Sequence, residues 1–143
     1  LASVKKVPYS TVMVAMGGNG VKFGTRFAGT GARWFTVDAP LIEGLFLKPT
    51  YTKDDLLGFL GDSCVTEVYG LGGMSASAGP GYVVLTGSTF ADSLQRAADA
   101  RKVCVAEHRF APIPWDGGQG FPVGVDARKV AEHFAHQPRR RHT

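Results

Sequence analysis

Gly61-Asp62-Ser63-Cys64-Val65-Thr66-Glu67-Val68-Tyr69-Gly70-Leu71-Gly72-Gly73 is the stretch around which the rest of the chain is read. It gathers four glycines, two carboxylates, two aliphatic hydroxyls and a thiol into 13 residues. Asp62 and Ser63 are both good N-cap residues, and Cys64, Val65 and Val68 follow with helical spacing, which predicts a helix over 63–70. A helix start beside glycines offers free N–H groups and the positive end of a dipole to an anion. The competing reading is that the glycines make turns and allow close helix packing. The segments on either side predict a mixed α/β fold, with α+β as the alternative. Antiparallel strands come first, and helices follow around the glycine-rich stretch.

On the N-terminal side, Tyr9 to Met16 is rich in β-formers and reads as a buried strand ended by Gly17-Gly18-Asn19-Gly20. Asn19-Gly20 is a favoured hairpin pair. Lys22 to Ala28 alternates polar and apolar residues, as a half-exposed antiparallel partner does, and Arg33 to Val37 reads as a third strand of a meander. Residues 38–51 look irregular, with a short strand at Leu45 to Leu47. Thr52-Lys53-Asp54-Asp55 has the form of a capping box opening a short helix through about Phe59.

On the C-terminal side, Met74 to Ala78 and Gly79-Pro80-Gly81 carry no regular signal. Thr89 caps a helix with Phe90, Leu94, Ala97 and Ala98 on one face, running to about Val105, with Arg96, Asp99 and Lys102 solvated. Ala111 to Trp115, with two prolines, suits an extended or edge segment. Asp116 to Gly120 is a second glycine loop. Asp126 caps a last helix through Ala127, Val130, Ala131, Phe134 and Ala135, stopped by Pro138. Residues 1–136 are expected to form a single domain or part of a larger one, and 137–143 a basic disordered tail. The chain opens on Leu1 with a strand pattern almost at once, so its N-terminus reads as a cut inside a longer protein.

Charge and composition narrow the function classes. The net charge of +4 comes from Lys5, Lys6 and Arg139 to Arg141, and positions 9–136 carry 11 basic against 12 acidic residues. The body is neutral and no aromatic residue interleaves with the terminal arginines, which speaks against nucleic acid. No apolar run is long enough for a membrane span and no secretion signal is evident, so the expected location is cytoplasmic. Cys64 and Cys104 are too far apart for a zinc or thioredoxin-type motif.

Asp62 and Glu67 form the candidate pair of catalytic carboxylates, although a helix from Ser63 does not put them well on one face and Asp62 also serves as a cap. Asn19 is a candidate catalytic polar group, or a residue placed for its turn conformation. Cys64 at a helix start would have a stabilised thiolate, but no His partner is evident and buried packing is the favoured reading. His133 and His136, beside Glu132, have metal-like spacing but lack the further ligands a site requires. No metal or cofactor is expected. Neither a phosphate-loop GxxxxGK[ST] nor a GxSxG nucleophile elbow is present.

Several pieces, taken together and in order over residues 10–131, resemble a large bacterial family of unknown-function proteins that includes a subunit of oxamate carbamoyltransferase. They are Asn19 to Gly24 (NGVKFG), Trp34 to Thr36 (WFT), Gly44 to Phe46 (GLF), Gly61 to Glu67 (GDSCVTE), Gly70 to Gly73 (GLGG) and Pro122 to Val130 (PVGVDARKV). Gly18 and Lys22 depart from the family pattern, as do the segment around Ser77 to Gly81 and the arginine-rich end. The family's proteins are longer, so the chain resembles a C-terminal piece of one. The resemblance implies phosphorolytic carbamoyl transfer during anaerobic allantoin breakdown, in which oxalurate and phosphate give oxamate and carbamoyl phosphate in a complex with other enzyme subunits. The implied ligands, phosphate, oxamate or oxalurate, are anions. Ser63 and the amides around Gly72, Gly73, Gly117 and Gly118 would bind them, with Arg128 clamping a carboxylate or phosphate. A non-catalytic binding or assembly module of such a complex is the alternative.

Overall fold

The computed structural model describes residues 7–42, 45–61, 68–69, 72–79, 81, 83 and 87–135. Strands β1 (Met13–Asn19), β2 (Lys22–Phe27), β3 (Phe35–Asp38) and β4 (Leu60–Gly61) form one sheet in the order β3-β2-β1-β4. Helix α1 (Phe90–Val103) leads without a loop into β5 (Cys104–Pro112), which pairs with β6 (Gly120–Val125), and helix α2 (Ala127–Ala135) follows. Every strand pairing is antiparallel. The mixed α and β organisation, with antiparallel strands ahead of the helices, is therefore as expected.

The meander is present with altered boundaries. Gly17, Gly18 and Asn19 continue β1 instead of ending it, because Gly18 pairs with Phe23 of β2 on one side and Gly61 of β4 on the other. Hydrogen bonding from both sides holds an otherwise turn-prone run extended. The loop is Gly20-Val21. Gly20, at φ +85°, takes the positive φ that a two-residue hairpin needs at its first position, and Asn19 itself is not left-handed. The first strand does not begin at Tyr9, which lies in a turn at φ +61°. A bulge at Val14 shifts the β1–β2 register from Met13↔Phe27 to Ala15↔Arg26.

The Thr52–Asp55 capping box forms, with the Thr52 N–H donating to Asp55 Oδ2 at 2.8 Å, but it opens a single 3-10 turn (Lys53–Asp55). The chain cannot continue as a helix there. Phe59 N donates to Pro40 O at 2.8 Å, Gly20 N donates to Phe59 O at 3.1 Å, and Leu60 then pairs with Asn19. Leu45 to Leu47 form no strand. Met74 to Ala78, which carry no regular signal in the sequence, belong to a 3-10 helix (Gly72–Ala78).

In the second half, Thr89 caps α1 through the reciprocal pair with Asp92. The helix ends at Val103, and β5 and β6 occupy sequence in which only 111–115 had an extended signal. Ala97, Cys104, Ile113, Phe121 and Val125 are buried, with Ala76, where α1, the 3-10 helix and the β5–β6 pair meet. Arg101 ties the 113–119 turn to this unit. Its Nη2 donates to Asp116 Oδ2 at 2.6 Å and to Gly120 O at 3.0 Å, and its Nε lies 3.2 Å from Glu107 Oε1.

The two halves join where β1 begins. Val12 bridges to Asp126, and Ala127 N donates to Thr11 O at 3.0 Å. Asp126 caps α2 as the sequence predicts, accepting from Arg128 N at 2.9 Å. Among the described residues no helix is long and apolar enough to cross a membrane.

Candidate functional site

The β1–β2 register sets Gly17 directly opposite Gly24, and β2–β3 pairing sets Gly24 opposite Thr36 and Lys22 opposite Asp38. Alternate residues of a strand share a face, so Gly17, Asn19, Lys22, Gly24, Thr36 and Asp38 lie on one side of the sheet. No side chain rises from the two glycines. A Cβ at Gly17 would meet nothing within 4 Å, whereas one at Gly24 would stand 3.1 Å from Trp34 Cε3, so Gly24 lets the indole settle on the sheet. The result is an open cleft of about 330 Å³ lined by Gly17, Gly18, Asn19, Lys22, Gly24, Trp34, Thr36 and Gly61. That volume is at the small end for a ligand site.

The polar groups sit at one end. Asn19 Oδ1 accepts from Val21 N at 3.0 Å and Lys22 N at 2.7 Å, which locks the side chain across its own turn. Lys22 Nζ is hydrogen-bonded to Asp38 Oδ1. That bond, with the ammonium charge, holds the Asp38 carboxyl below its ordinary range. Arg26 stands two residues beyond Gly24 on the same face. Its Cζ lies 5.6 Å from the Trp34 ring centre, and its Nη2 donates to Gly31 O at 2.7 Å.

The sequence-predicted residues fall in different places. Asn19 lies in the cleft. Asp62, Ser63 and Glu67, and with them the proposed helix start and Cys64, lie outside the described residues. Gly61 lines the cleft, so Asp62 is one peptide bond from its wall. Val68 and Tyr69 are helical, and Val68 is buried. Gly72 and Gly73 open the 3-10 helix that packs on α1 and β6. Gly117 and Gly118 have φ of +64° and +76° in the turn before β6, where the Gly118 N–H donates to Ile113 O at 3.1 Å. Arg128, on the first turn of α2, reaches back to Asp126 Oδ2 at 3.2 Å and is otherwise exposed. None of Gly72, Gly73, Gly117, Gly118 and Arg128 lines the cleft.

Sequence reasoning missed Lys22, Trp34 and Thr36 as site residues, although Trp34 and Thr36 belong to the pieces that carry the family resemblance and Lys22 is one of the departures from it. It also missed His108, which stacks on Phe121 with ring centres 4.6 Å apart and has Nε2 3.3 Å from the Tyr69 hydroxyl. That contact joins the central stretch to the second sheet. Nothing local marks His108, because its strand was not read. Among the described residues no group of three His, Cys, Asp or Glu side chains is placed to hold a metal.

Residues 1–63 match the family described as oxamate carbamoyltransferase subunit AllG. Over 124 residues the chain is 34% identical to the uncharacterized protein YahG of Escherichia coli (strain K12), covering 87% of this chain and 26% of that protein. It is 32% identical over 124 residues to the oxamate carbamoyltransferase subunit AllG of the same organism, covering 85% of this chain and 29% of AllG. A crystal structure of a conserved protein of unknown function from Enterococcus faecalis V583 matches with a TM-score of 0.81 at 37% identity, over 90% of this chain and 30% of that one. The chain is thus homologous to AllG and YahG and spans between a quarter and a third of the length of these relatives.

Proposed function

We propose, from its homology to AllG, that this chain is part of a subunit of an oxamate carbamoyltransferase-like enzyme. The enzyme would transfer a carbamoyl group between oxalurate or oxamate and phosphate, in the cytoplasm and together with other subunits. In the phosphorolytic direction a phosphate oxygen attacks the carbamoyl carbon of oxalurate. The bond from that carbon to the oxamate nitrogen breaks, the nitrogen takes a proton, and carbamoyl phosphate leaves with oxamate. The protein must stabilise the tetrahedral intermediate and hold two anions together.

The observation that carries the reading is 32% identity to AllG over 124 residues. The cleft supports it. Three pieces of the resemblance, Asn19 to Gly24, Trp34 to Thr36 and Gly61 to Glu67, are separated in sequence yet all contribute to its wall. Asp62, Ser63 and Glu67, in the stretch that Gly61 opens, remain the proposed acid–base and binding groups, together with Asn19. Gly72 and Gly73, Gly117 and Gly118, and Arg128 remain proposed anion contacts.

A second reading, a non-catalytic assembly module, has its own support in the apolar side chains left at the surface. Leu47 is 96% exposed, Phe110 91% and Leu57 81%, which suits surfaces that other parts of a complex cover. One experiment separates the readings. The 124 matched residues of AllG are replaced by those of this chain, and phosphate-dependent carbamoyl phosphate formation from oxalurate is measured with the partner subunits present. Turnover should persist in the chimera, fall when Asp62 and Glu67 are both changed to Ala, and be absent from the isolated chain. A folded chimera indifferent to the double substitution favours the assembly reading. Robust turnover by the isolated chain refutes the subunit reading.

A further inference from the structure

We propose that the cleft between Gly17, Gly24 and Trp34 is a binding site for a small planar anion, whose charged end is held by Asn19 and Lys22 and whose flat body lies against the glycine backbone and the indole. This deepens the transferase reading and rests on it for the choice of oxamate as the natural probe. The place and the chemical class come from the cleft itself.

The polar end offers donors. Two backbone N–H groups point at the Asn19 side-chain amide, so the atom facing them is its oxygen, and its NH₂ is turned away from the turn. Lys22 carries three N–H donors, of which Asp38 takes one. A ligand meeting this end must bring acceptors. Charge points the same way. Among the described residues, Lys22 and Arg26 flank Gly24 on one face of β2 and face one carboxylate, Asp38, so the described part of that face carries a positive excess. Asp38 would repel an anion, but its charge is already engaged by Lys22 at the exposed rim.

The rest of the wall is flat. Gly17 and Gly24 stand opposite each other with no side chain on either, and Trp34 covers the Gly24 side. A backbone ribbon and an aromatic ring together fit a conjugated, planar body, which can stack on the indole while its oxygens reach Asn19 and Lys22. A tetrahedral anion such as phosphate satisfies the donors but makes no stacking contact with the indole. The cleft volume of about 330 Å³ is suited to a ligand of a few heavy atoms.

The test measures binding by titration calorimetry for four probes: oxamate, its neutral planar analogue oxamide, benzoate and inorganic phosphate. Gly17→Leu is the decisive variant. An added Cβ there meets nothing within 4 Å, and the Gly17 φ lies outside the left-handed region, so the cleft is filled with the strand intact. Circular dichroism and urea unfolding verify the fold. Oxamate is expected to bind the wild-type chain, at least about tenfold more weakly to Gly17→Leu and several-fold more weakly to Lys22→Met, with oxamide weaker than oxamate by a similar factor. Benzoate binding that is lost in Gly17→Leu, without any oxamate binding, upholds the planar-anion site and removes the support it lends to the transferase reading. The inference is overturned by the same affinity for planar carboxylates in wild type and Gly17→Leu, by no planar carboxylate binding, or by phosphate binding that is tighter than oxamate and lost in Gly17→Leu.

Discussion

Asp126 is expected to hold the two halves of the molecule together, and Asp126→Ala should cost about 2 kcal/mol at neutral pH. The carboxylate is 3% exposed. Burial by itself raises its pKa, but three donors outweigh that. Arg128 Nη2 donates at 3.2 Å, Thr11 Oγ1 at 2.7 Å and Arg128 N at 2.9 Å, and the carboxyl is held at about 2 instead of 3.8. At 1.36 kcal/mol per unit that shift corresponds to about 2 kcal/mol. The Arg128 side chain is 73% exposed, so its share is screened by water, and most of the effect is assigned to Thr11 and the backbone N–H. Loss of the N-cap alone costs about 1 kcal/mol and is part of the same total.

The folded pKa lies below the unfolded one, so this stabilisation is complete above about pH 5 and disappears as the pH falls through about 2. Urea unfolding of wild type, Asp126→Ala, Thr11→Val and the double variant at neutral pH measures the cost, and the cycle should give a Thr11–Asp126 coupling near 1 kcal/mol. The gap between wild type and Asp126→Asn should shrink between about pH 5 and about pH 2. The reasoning fails if Asp126→Ala stays within about 0.5 kcal/mol of wild type, or if that gap is independent of pH.

Other outcomes follow from the same physics. Cys104 is 3% exposed and burial pushes its thiol up to about 11, partly offset by the Lys129 charge, so iodoacetamide at mildly alkaline pH should label it only after denaturation. Peptide mapping by mass spectrometry distinguishes it from Cys64, and rapid labelling of native Cys104 would contradict its burial. Deleting residues 137–143, which lie outside the described residues, should leave the urea midpoint unchanged and remove most binding to heparin, because the arginine run is there and the body is near neutral. A large fall in the midpoint would show the tail to be structural.

What the sequence disclosed about the fold was the part written in local chemistry. Alternation from Lys22 to Ala28 and the Asn19-Gly20 pair announced the meander, although the turn falls on Gly20-Val21, and Thr89 and Asp126 announced two helix starts, because a cap is made by residues two or three positions apart. The second sheet was illegible for the opposite reason. No glycine or proline separates Val103 from Cys104, so helix runs into strand with no break, and β5 carries Glu107, His108 and Arg109 in succession. Its partner β6 contains Gly120, Pro122 and Gly124, a composition that argues against a strand. Only the pairing of Cys104 with Val125, Ala106 with Val123 and Glu107 with Pro122 makes either segment extended. The Thr52 box shows the same competition, since a genuine cap yields one turn once Leu60 is taken by Asn19.

The site was legible in its parts and not in its assembly. Asn19 drew attention as a turn residue beside glycines, and Gly61 as the first residue of the central stretch, but 41 residues separate them and no local pattern relates them. The register does. Because Asn19 pairs with Leu60 and Gly18 with Gly61, the strand that closes the hairpin also delivers the start of the central stretch to the same cleft. Lys22 and Thr36 arrive by the same logic from the other side of β1. Their side chains are ordinary on a half-exposed strand, and their significance comes from standing beside two positions that have no side chain at all. A one-residue slip of β1 against β2 would turn Asn19 to the opposite face and close the gap between Gly17 and Gly24. The glycine pairing at 17 and 24 therefore sets where the proposed ligand would lie, and the residues at either end of it would set what kind of ligand that is.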